Sequence, residues 1–281
     1  MGTIAITGSA SGIGKATRER LEREGHKVIG IDLRDAEVIA DLTTPDGRAA
    51  MVDGVTRASG GALDGLLAGA GVSGRTHDAT RVIRLNYFGA VATLAGLRPL
   101  LAKGTNASAV AISSNAATTQ PGGADPRAVQ VCLEGDEERV VEMMADIGWT
   151  SYAVAKLSLA RWVRRNAVTD DWVGSGIRLN AIAPGIIVTP MTEAGLDFIL
   201  NMPNWPRPTR EPGKAEEVAG LVRYLLSEEA RYFVGSFVVM DGGTDAALRA
   251  DDWPNLPYLP DAPRPSAASL ASGTSASAAD A

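Results

Sequence analysis

A short β-branched run, TIAIT at residues 3–7, ends in the turn TGSASGIG at residues 7–14 and passes straight into a helical charge pattern. This join restricts the fold more than any other stretch. A buried strand that turns at once into a helix must lay that helix back over its own sheet. In the turn, Gly8 permits the tight reversal, Gly12 lets the backbone come close to a pyrophosphate, and Gly14 allows the helix to pack closely. With Ser11 and Ile13 between them, these residues form a cradle at a helix amino end, where free N–H groups favour an anion. The same alternation continues along the chain. Strand patterns fall at residues 27–32, 37–40, 63–68, 107–113, 176–183 and 236–240, and helical patterns at 12–24, 46–58, 78–103 and 150–167. Residues 78–103 read as one long helix, with any irregularity near Pro99. Strands joined by helical crossovers imply a doubly wound α/β fold: a seven-stranded, mainly parallel sheet with helices on both faces. Ligands on such sheets bind at the carboxyl ends of the strands, and the glycine-rich and polar motifs fall there.

The 281 residues suffice for one large α/β domain. A formal charge of −6, from 27 basic and 33 acidic residues, argues against a nucleic-acid or anionic-membrane surface. No apolar run reaches the roughly 20 residues of a membrane span, and the start enters a strand without a signal-like segment; a cytoplasmic protein is expected. Cys132 is the only cysteine, so no disulfide forms within the chain, and it reads as a small apolar filler. His26 and His77 are the only histidines. So few candidate ligands make neither a zinc site nor a histidine-based triad, and no metal is expected.

Asp32 ends the second strand, eighteen residues beyond Gly14. A carboxylate there accepts hydrogen bonds from both ribose hydroxyls of NAD and repels the additional phosphate of NADP. Leu33 follows with no charge. Arg34 is a nearby cation that could accommodate that phosphate, yet the pattern favours NAD over NADP. Asp41 and Leu42 follow the third strand and can meet the adenine. Downstream, Tyr152 and Lys156 stand four residues apart on one helical face. Of five tyrosines only Tyr152 has such a partner. The ammonium is expected to stabilise a phenolate and to pull the tyrosine below its ordinary pKa of about 10, so that it exchanges a proton with an alcohol or carbonyl oxygen.

Taken together, TGSASGIG, the LNYFG stretch, AISSNAA, SYAVAK, the run NAIAPG with Ile187 and Thr189, and DGG at residues 241–243 resemble the short-chain dehydrogenase/reductase family over about residues 1–248. The resemblance implies a Rossmann-type domain with Asn86, Ser114, Tyr152 and Lys156 as the catalytic set. Tyr152 would be the acid/base, Lys156 its pKa-lowering partner and a ribose ligand, and Ser114 a substrate-oxygen ligand. Asn86 would hold a water that links Lys156 to solvent. It further implies that Pro184, Gly185, Ile187 and Thr189 cradle the nicotinamide and that Ala70 and Gly71 line the cofactor path. The family's Asn-Asn-Ala-Gly stands here as Ala68-Gly69-Ala70-Gly71, without either asparagine. Ser113 and Ser114 are adjacent at a strand end, where neighbouring side chains point oppositely, so only one of them serves. Within the family, GIDLRDAEVIADLTT, NYFGA and DGGTDA resemble the bacterial 3α-hydroxysteroid dehydrogenase/carbonyl reductase group. In that group a long segment before the tyrosine helix alters subunit association, giving dimers in place of tetramers.

Domain boundaries follow at 1–249 for the dinucleotide domain and 250–281 for a tail, of which Trp253, Leu256, Tyr258 and Leu259 could pack while the part beyond about 262 looks disordered. Residues 118–149 form an inserted acidic segment, either a dimer contact or a solvated excursion. Residues 189–212 are either a lid over the substrate or a helix that simply packs. Their Met191, Phe198, Met202 and Trp205, with Leu196 and Ile199, suit a bulky apolar ligand, and with Ser114 and Tyr152 make the expected substrate wall. The reading is an NAD(H)-dependent oxidoreductase that interconverts a secondary alcohol and a ketone, such as a 3-hydroxysteroid or related carbonyl compound, in a homodimer or homotetramer. Alternatives are a dehydrogenase of cyclic diols, terpenoid alcohols or polyols, a nucleotide-sugar epimerase, and a non-catalytic dinucleotide sensor.

Overall fold

The computed structural model describes residues 1–120, 122–145, 150–193, 195–203 and 205–252. By its internal contacts the chain divides into Met1–Leu248 and Arg249–Ala281. In the second unit the described part is a single turn of 3₁₀ helix, Ala250–Asp252. The expected packing of Trp253, Leu256, Tyr258 and Leu259, and the expected disorder from 262, fall outside the described residues.

In the first unit β1 (Thr3–Thr7) leads to α1 (Gly12–Arg23), then β2 (Lys27–Asp32) and β3 (Val38–Ile39). Next come α2 (Pro45–Ser59), β4 (Gly65–Ala68), α3 (Ala79–Ile83) and α4 (Ala90–Leu101). They are followed by β5 (Ser108–Ile112), α5 (Ala116–Thr119), α6 (Pro126–Glu134), α7 (Glu137–Met144) and α8 (Ser151–Ala167). The remainder is β6 (Arg178–Pro184), β7 (Ile187–Val188), α9 (Pro190–Glu193), α10 (Leu196–Leu200), β8 (Gly213–Lys214), α11 (Ala215–Leu226), β9 (Phe237–Met240) and α12 (Thr244–Leu248). The main sheet has the order β3-β2-β1-β4-β5-β6-β9, and its pairings are parallel.

This is the doubly wound α/β sheet that the sequence implies. Every residue of β4, β5 and β6 is buried, as strands covered on both faces must be. One apolar cluster joins the sheet to α2, α4 and α8 through residues such as Val55, Leu94 and Leu159. The other joins it to α1 and α11 through Leu21, Val218 and Val222. Ala16, Ala215 and Ala219 let α1 and α11 approach closely. The chain crosses from one side of β1 to the other between β3 and β4, so a crevice opens above β1 and β4 at their carboxyl ends.

Three local outcomes differ from the sequence reading. The stretch 78–103 is broken by a π-helical turn at Arg84–Gly89, whereas Pro99 sits inside a continuous α4. A helix at Ala215–Leu226 and the two-residue parallel ladder of β7 with β8 were not anticipated. Within 118–149, α6 and α7 bury Ala128, Val129, Val131, Cys132, Val140 and Met144 in the main core. Arg48 clamps Glu137 through two hydrogen bonds of 2.6 and 3.0 Å, and Arg84 reaches Glu138 at 2.7 Å. The segment thus lays an apolar face on its own chain, and burial pushes the Cys132 thiol up to about 11, away from reactivity.

Candidate active site

The crevice above the β1 and β4 ends is a cleft of about 240 Å³. Its walls include each residue that the sequence assigns to the cofactor: Gly8, Ser11, Gly12, Ile13, Gly14, Asp32, Leu33, Asp41, Leu42, Ala70, Gly71, Tyr152, Lys156, Pro184, Gly185, Ile187 and Thr189. The glycines are sterically required. A Cβ on Gly14 would stand 2.1 Å from the Gly8 carbonyl oxygen, and one on Gly8, whose φ is 74°, would meet the Ala70 Cα at 2.9 Å. Ser11, at the helix cap, makes no side-chain cap hydrogen bond, so the first N–H groups of α1 are not capped by it. That arrangement fits a pyrophosphate. Asp32 is held rigidly: Ala10 N–H donates to Oδ2 at 3.0 Å and Leu33 N–H to Oδ1 at 2.7 Å. Each oxygen keeps a further lone pair for a ribose hydroxyl. Asp41 Oδ1 accepts from the Thr43 N–H and hydroxyl, at 3.0 and 2.7 Å, and these bonds hold its carboxyl below the ordinary range against the opposing effect of burial. Arg34 lies outside these walls, exposed and 3.9 Å from Asp35.

Four catalytic candidates surround Gly71 and the end of β5. Lys156 is buried and donates from Nζ to the Ile112 carbonyl at 2.8 Å. Ser113 turns back and donates to the Lys156 carbonyl at 2.8 Å. Ser114 lines the cleft, where its hydroxyl accepts from Ala116 N–H at 3.1 Å. The two serines thus divide as the strand geometry demands. Asn86 lies in the π-helical turn with its amide clamped on Val72, Oδ1 accepting at 2.8 Å and Nδ2 donating at 2.9 Å. A Cβ on Gly71 would lie 3.1 Å from Asn86 Oδ1 and 3.6 Å from Lys156 Nζ. The asparagine therefore shapes the 71–72 backbone, and one N–H and one lone pair of its amide remain for a water.

The electrostatics correct one expectation. The sequence reading has Lys156 drawing the Tyr152 pKa down. In the structure burial raises it, opposed by the nearby Ser114 hydroxyl. Burial also brings Lys156 down to about 8. The Lys156 nitrogen is 5.7 Å from the Tyr152 ring centroid. At that separation, among the protein's own groups, desolvation outweighs mutual attraction.

Beside the cleft is an apolar pocket of about 590 Å³. Tyr152, Gly185, Met191 and Thr192 line both spaces. Of the other expected substrate residues, Met202 and Trp205 line the pocket, Ser114 lines the cleft, and Phe198 stands outside the lining, beneath the Arg75 guanidinium. Ile199, of the apolar set noted in the sequence, also lines the pocket; the sequence reading passed over Arg75, Thr119 and Gln120 in the pocket and Arg81, Val72 and Leu85 in the cleft. Arg75, Val72 and Gln120 sit in loops, and Arg81, Leu85 and Thr119 in short helical turns, whose sequence pattern carries no signal of a site. Among the described residues no group of three or more His, Cys, Asp or Glu side chains could hold a metal, and no helix is long and apolar enough to cross a membrane.

The fold and this site define a family. Residues 2–125 match the short chain dehydrogenase pattern, and residues 138–245 match a pattern described as enoyl-(acyl carrier protein) reductase. The chain belongs to the short-chain dehydrogenase/reductase family, and it is an oxidoreductase acting on hydroxyl or carbonyl groups. It is 39% identical over 258 residues to the 3-alpha-hydroxysteroid dehydrogenase/carbonyl reductase of Comamonas testosteroni, covering 89% of this chain and 98% of that one. The crystal structure of the 3-alpha-hydroxysteroid dehydrogenase from Pseudomonas sp. B-0831 complexed with NADH is 42% identical, with a TM-score of 0.83 over 89% of this chain and all (100%) of that one. The cis-4-hydroxycyclohexanecarboxylate dehydrogenase of Sinomonas cyclohexanicum is 32% identical over 86% of this chain and 95% of its own length.

Proposed function

We propose that this enzyme interconverts a ring-borne secondary alcohol and its ketone with NAD(H), on a bulky apolar substrate of the 3-hydroxysteroid kind. The observation that carries the reading is the position of Tyr152, half-buried and lining both the dinucleotide-shaped cleft, which Ser114 and Lys156 also line, and the apolar pocket. A bound nicotinamide supplies hydride acceptance in oxidation and hydride donation in reduction. The chain does the rest. Tyr152 takes the hydroxyl proton of the alcohol, or returns it to the ketone oxygen. Ser114 donates a hydrogen bond to that oxygen as charge develops there. Lys156 sets a positive charge beneath the phenol, and Asn86, with its residual hydrogen-bonding capacity, holds a water on the proton's way out.

Preference for NAD over NADP rests on Asp32, whose carboxylate is fixed by two backbone N–H groups, and on the placement of Arg34 away from the cleft. A cytoplasmic homodimer or homotetramer completes the reading; light scattering reads the assembly. The test is Tyr152→Phe. NADH binding, followed by fluorescence, should be nearly unchanged, while oxidation of a 3-hydroxysteroid falls by at least about 10³-fold. Substantial residual turnover overturns the assignment. The relative from Sinomonas favours a second reading, a dehydrogenase of small cyclic alcohols; kcat/KM on cyclohexanols against steroids separates the two.

A further inference from the structure

The apolar pocket contains one charged side chain that nothing in the reaction uses. Among the described residues Arg75 is the only Asp, Glu, Lys or Arg that lines it. It follows Gly74, which is pressed on the catalytic tyrosine: a Cβ on Gly74 would lie 3.1 Å from the Tyr152 Cβ. From there the Arg75 side chain crosses to α10. Its guanidinium carbon sits 4.1 Å from the centre of the Phe198 ring, and its Nε would be 3.3 Å from a Cβ on Gly195. Among the described residues no carboxylate lies within ion-pair distance of it, whereas Arg18, Arg48 and Arg223, for example, each have one. Two other polar groups of the wall are turned to the protein. Asn115 Nδ2 donates to Asp241 at 3.1 Å, and the Thr119 hydroxyl donates to the Asn115 carbonyl at 2.8 Å.

An arginine stacked on an aromatic face keeps its in-plane N–H fork open for a planar bidentate acceptor. Arg75 is exposed while Tyr152 is half-buried, so Arg75 marks the wetter side of an otherwise apolar space. From this juxtaposition we infer that Arg75 determines substrate class: the natural ligand is an apolar ring alcohol or ketone that also carries a carboxylate, and Arg75 grips that carboxylate at the pocket mouth while the reacting oxygen lies at Tyr152. The inference rests on the proposed function and narrows it. Phe198, whose ring lies outside the pocket lining, then serves as the plate that orients the guanidinium.

The test uses the full chain with NAD and two matched pairs. One is a 3-hydroxysteroid whose aliphatic side chain ends in a carboxylate, with its primary amide; the other is 4-hydroxycyclohexanecarboxylate with its amide. The measured quantity is the ratio of kcat/KM for acid over amide, on whichever ring body is turned over. The unsubstituted enzyme should prefer the acid by about tenfold at low salt, a charge-assisted bidentate contact at a partly wet site, and the preference should shrink as salt rises. Arg75→Gln should bring the ratio to about one, and Arg75→Lys should restore part of it. A merely structural loss of the Phe198 contact moves acid and amide together and leaves the ratio intact, which overturns the inference, as does a ratio near one in the unsubstituted enzyme. Absence of NAD-linked turnover on every compound overturns the proposed function itself, and is thereby told apart from failure of the Arg75 assignment.

Discussion

Lys156 carries its charge in a place that resists it. Its nitrogen is bonded to one backbone carbonyl at 2.8 Å, and burial lowers its pKa from 10.5 to about 8. The sign of the consequence is fixed. In the unfolded chain this lysine holds its proton to about 10.4, so between roughly pH 8 and 10.4 the unfolded state binds more protons, and the group's contribution makes stability rise with pH in that window. Activity runs the other way in the reductive direction. Above about pH 8 the positive charge beneath Tyr152 is lost, and the kcat/KM for ketone reduction should fall there. Lys156→Arg, with a side chain that stays protonated throughout, should lower the rate yet move the falling limb at least one pH unit upward. The check is the pH profile of both enzymes; an unmoved limb removes Lys156 as its origin. Gly14 was legible in sequence because steric room is a local property; strand alternation said that only one of Ser113 and Ser114 faces the cleft, and the family resemblance pointed to Ser114. The sign of the tyrosine shift was not, because desolvation depends on every atom packed around the phenol.

Elements were legible where one period dominated. The buried strands and α8 announced themselves, and so did the turn into α1. The break at Arg84–Gly89 did not, since a π-helical turn is stabilised by where Asn86 finds Val72, fourteen residues back. For α11 the signal was present, in the spacing of Val218, Ala219, Val222 and Leu225, and simply went unread. Its far end carries a further prediction. Arg178, the first residue of β6, is buried and donates to four carbonyls at and beyond the end of α11: Leu225 at 2.8 Å, Ser227 at 3.0 Å, Ala230 at 3.1 Å and Leu226 at 3.5 Å. Such a cation satisfies the orphan carbonyls of a helix end and opposes its dipole. Arg178→Met keeps the apolar stem and strands those carbonyls, so it should destabilise the fold by about 2–4 kcal/mol. Urea unfolding should show a lower midpoint with an unchanged slope. A midpoint within experimental error of the unsubstituted protein would mean that water replaces the guanidinium at no cost.

At the scale of the molecule, the parallel sheet sets its chemistry at one rim. The α1 amino end, Asp32, Asp41 and the Tyr152 group come from elements far apart in sequence and meet because each follows a strand's carboxyl end. A ligand lying along that rim touches nearly every βα unit, so its binding should be felt as global stability. With NADH at 100 times its Kd, the linked gain is about 2.7 kcal/mol, or a Tm rise of roughly 5–11 °C for a domain of this size. NADPH at the same concentration should give much less, because its extra phosphate meets a carboxylate that two backbone N–H groups hold in place. Asp32→Ser should erase most of that difference, chiefly by weakening NADH. Thermal melts of both proteins with each dinucleotide supply the four values needed. If NADPH protects the unsubstituted chain as well as NADH does, the charge at the end of β2 does not select the cofactor. The exposed Arg34, now paired with Asp35, would then be the side chain that moves to meet the phosphate, and Arg34→Ala should abolish that protection.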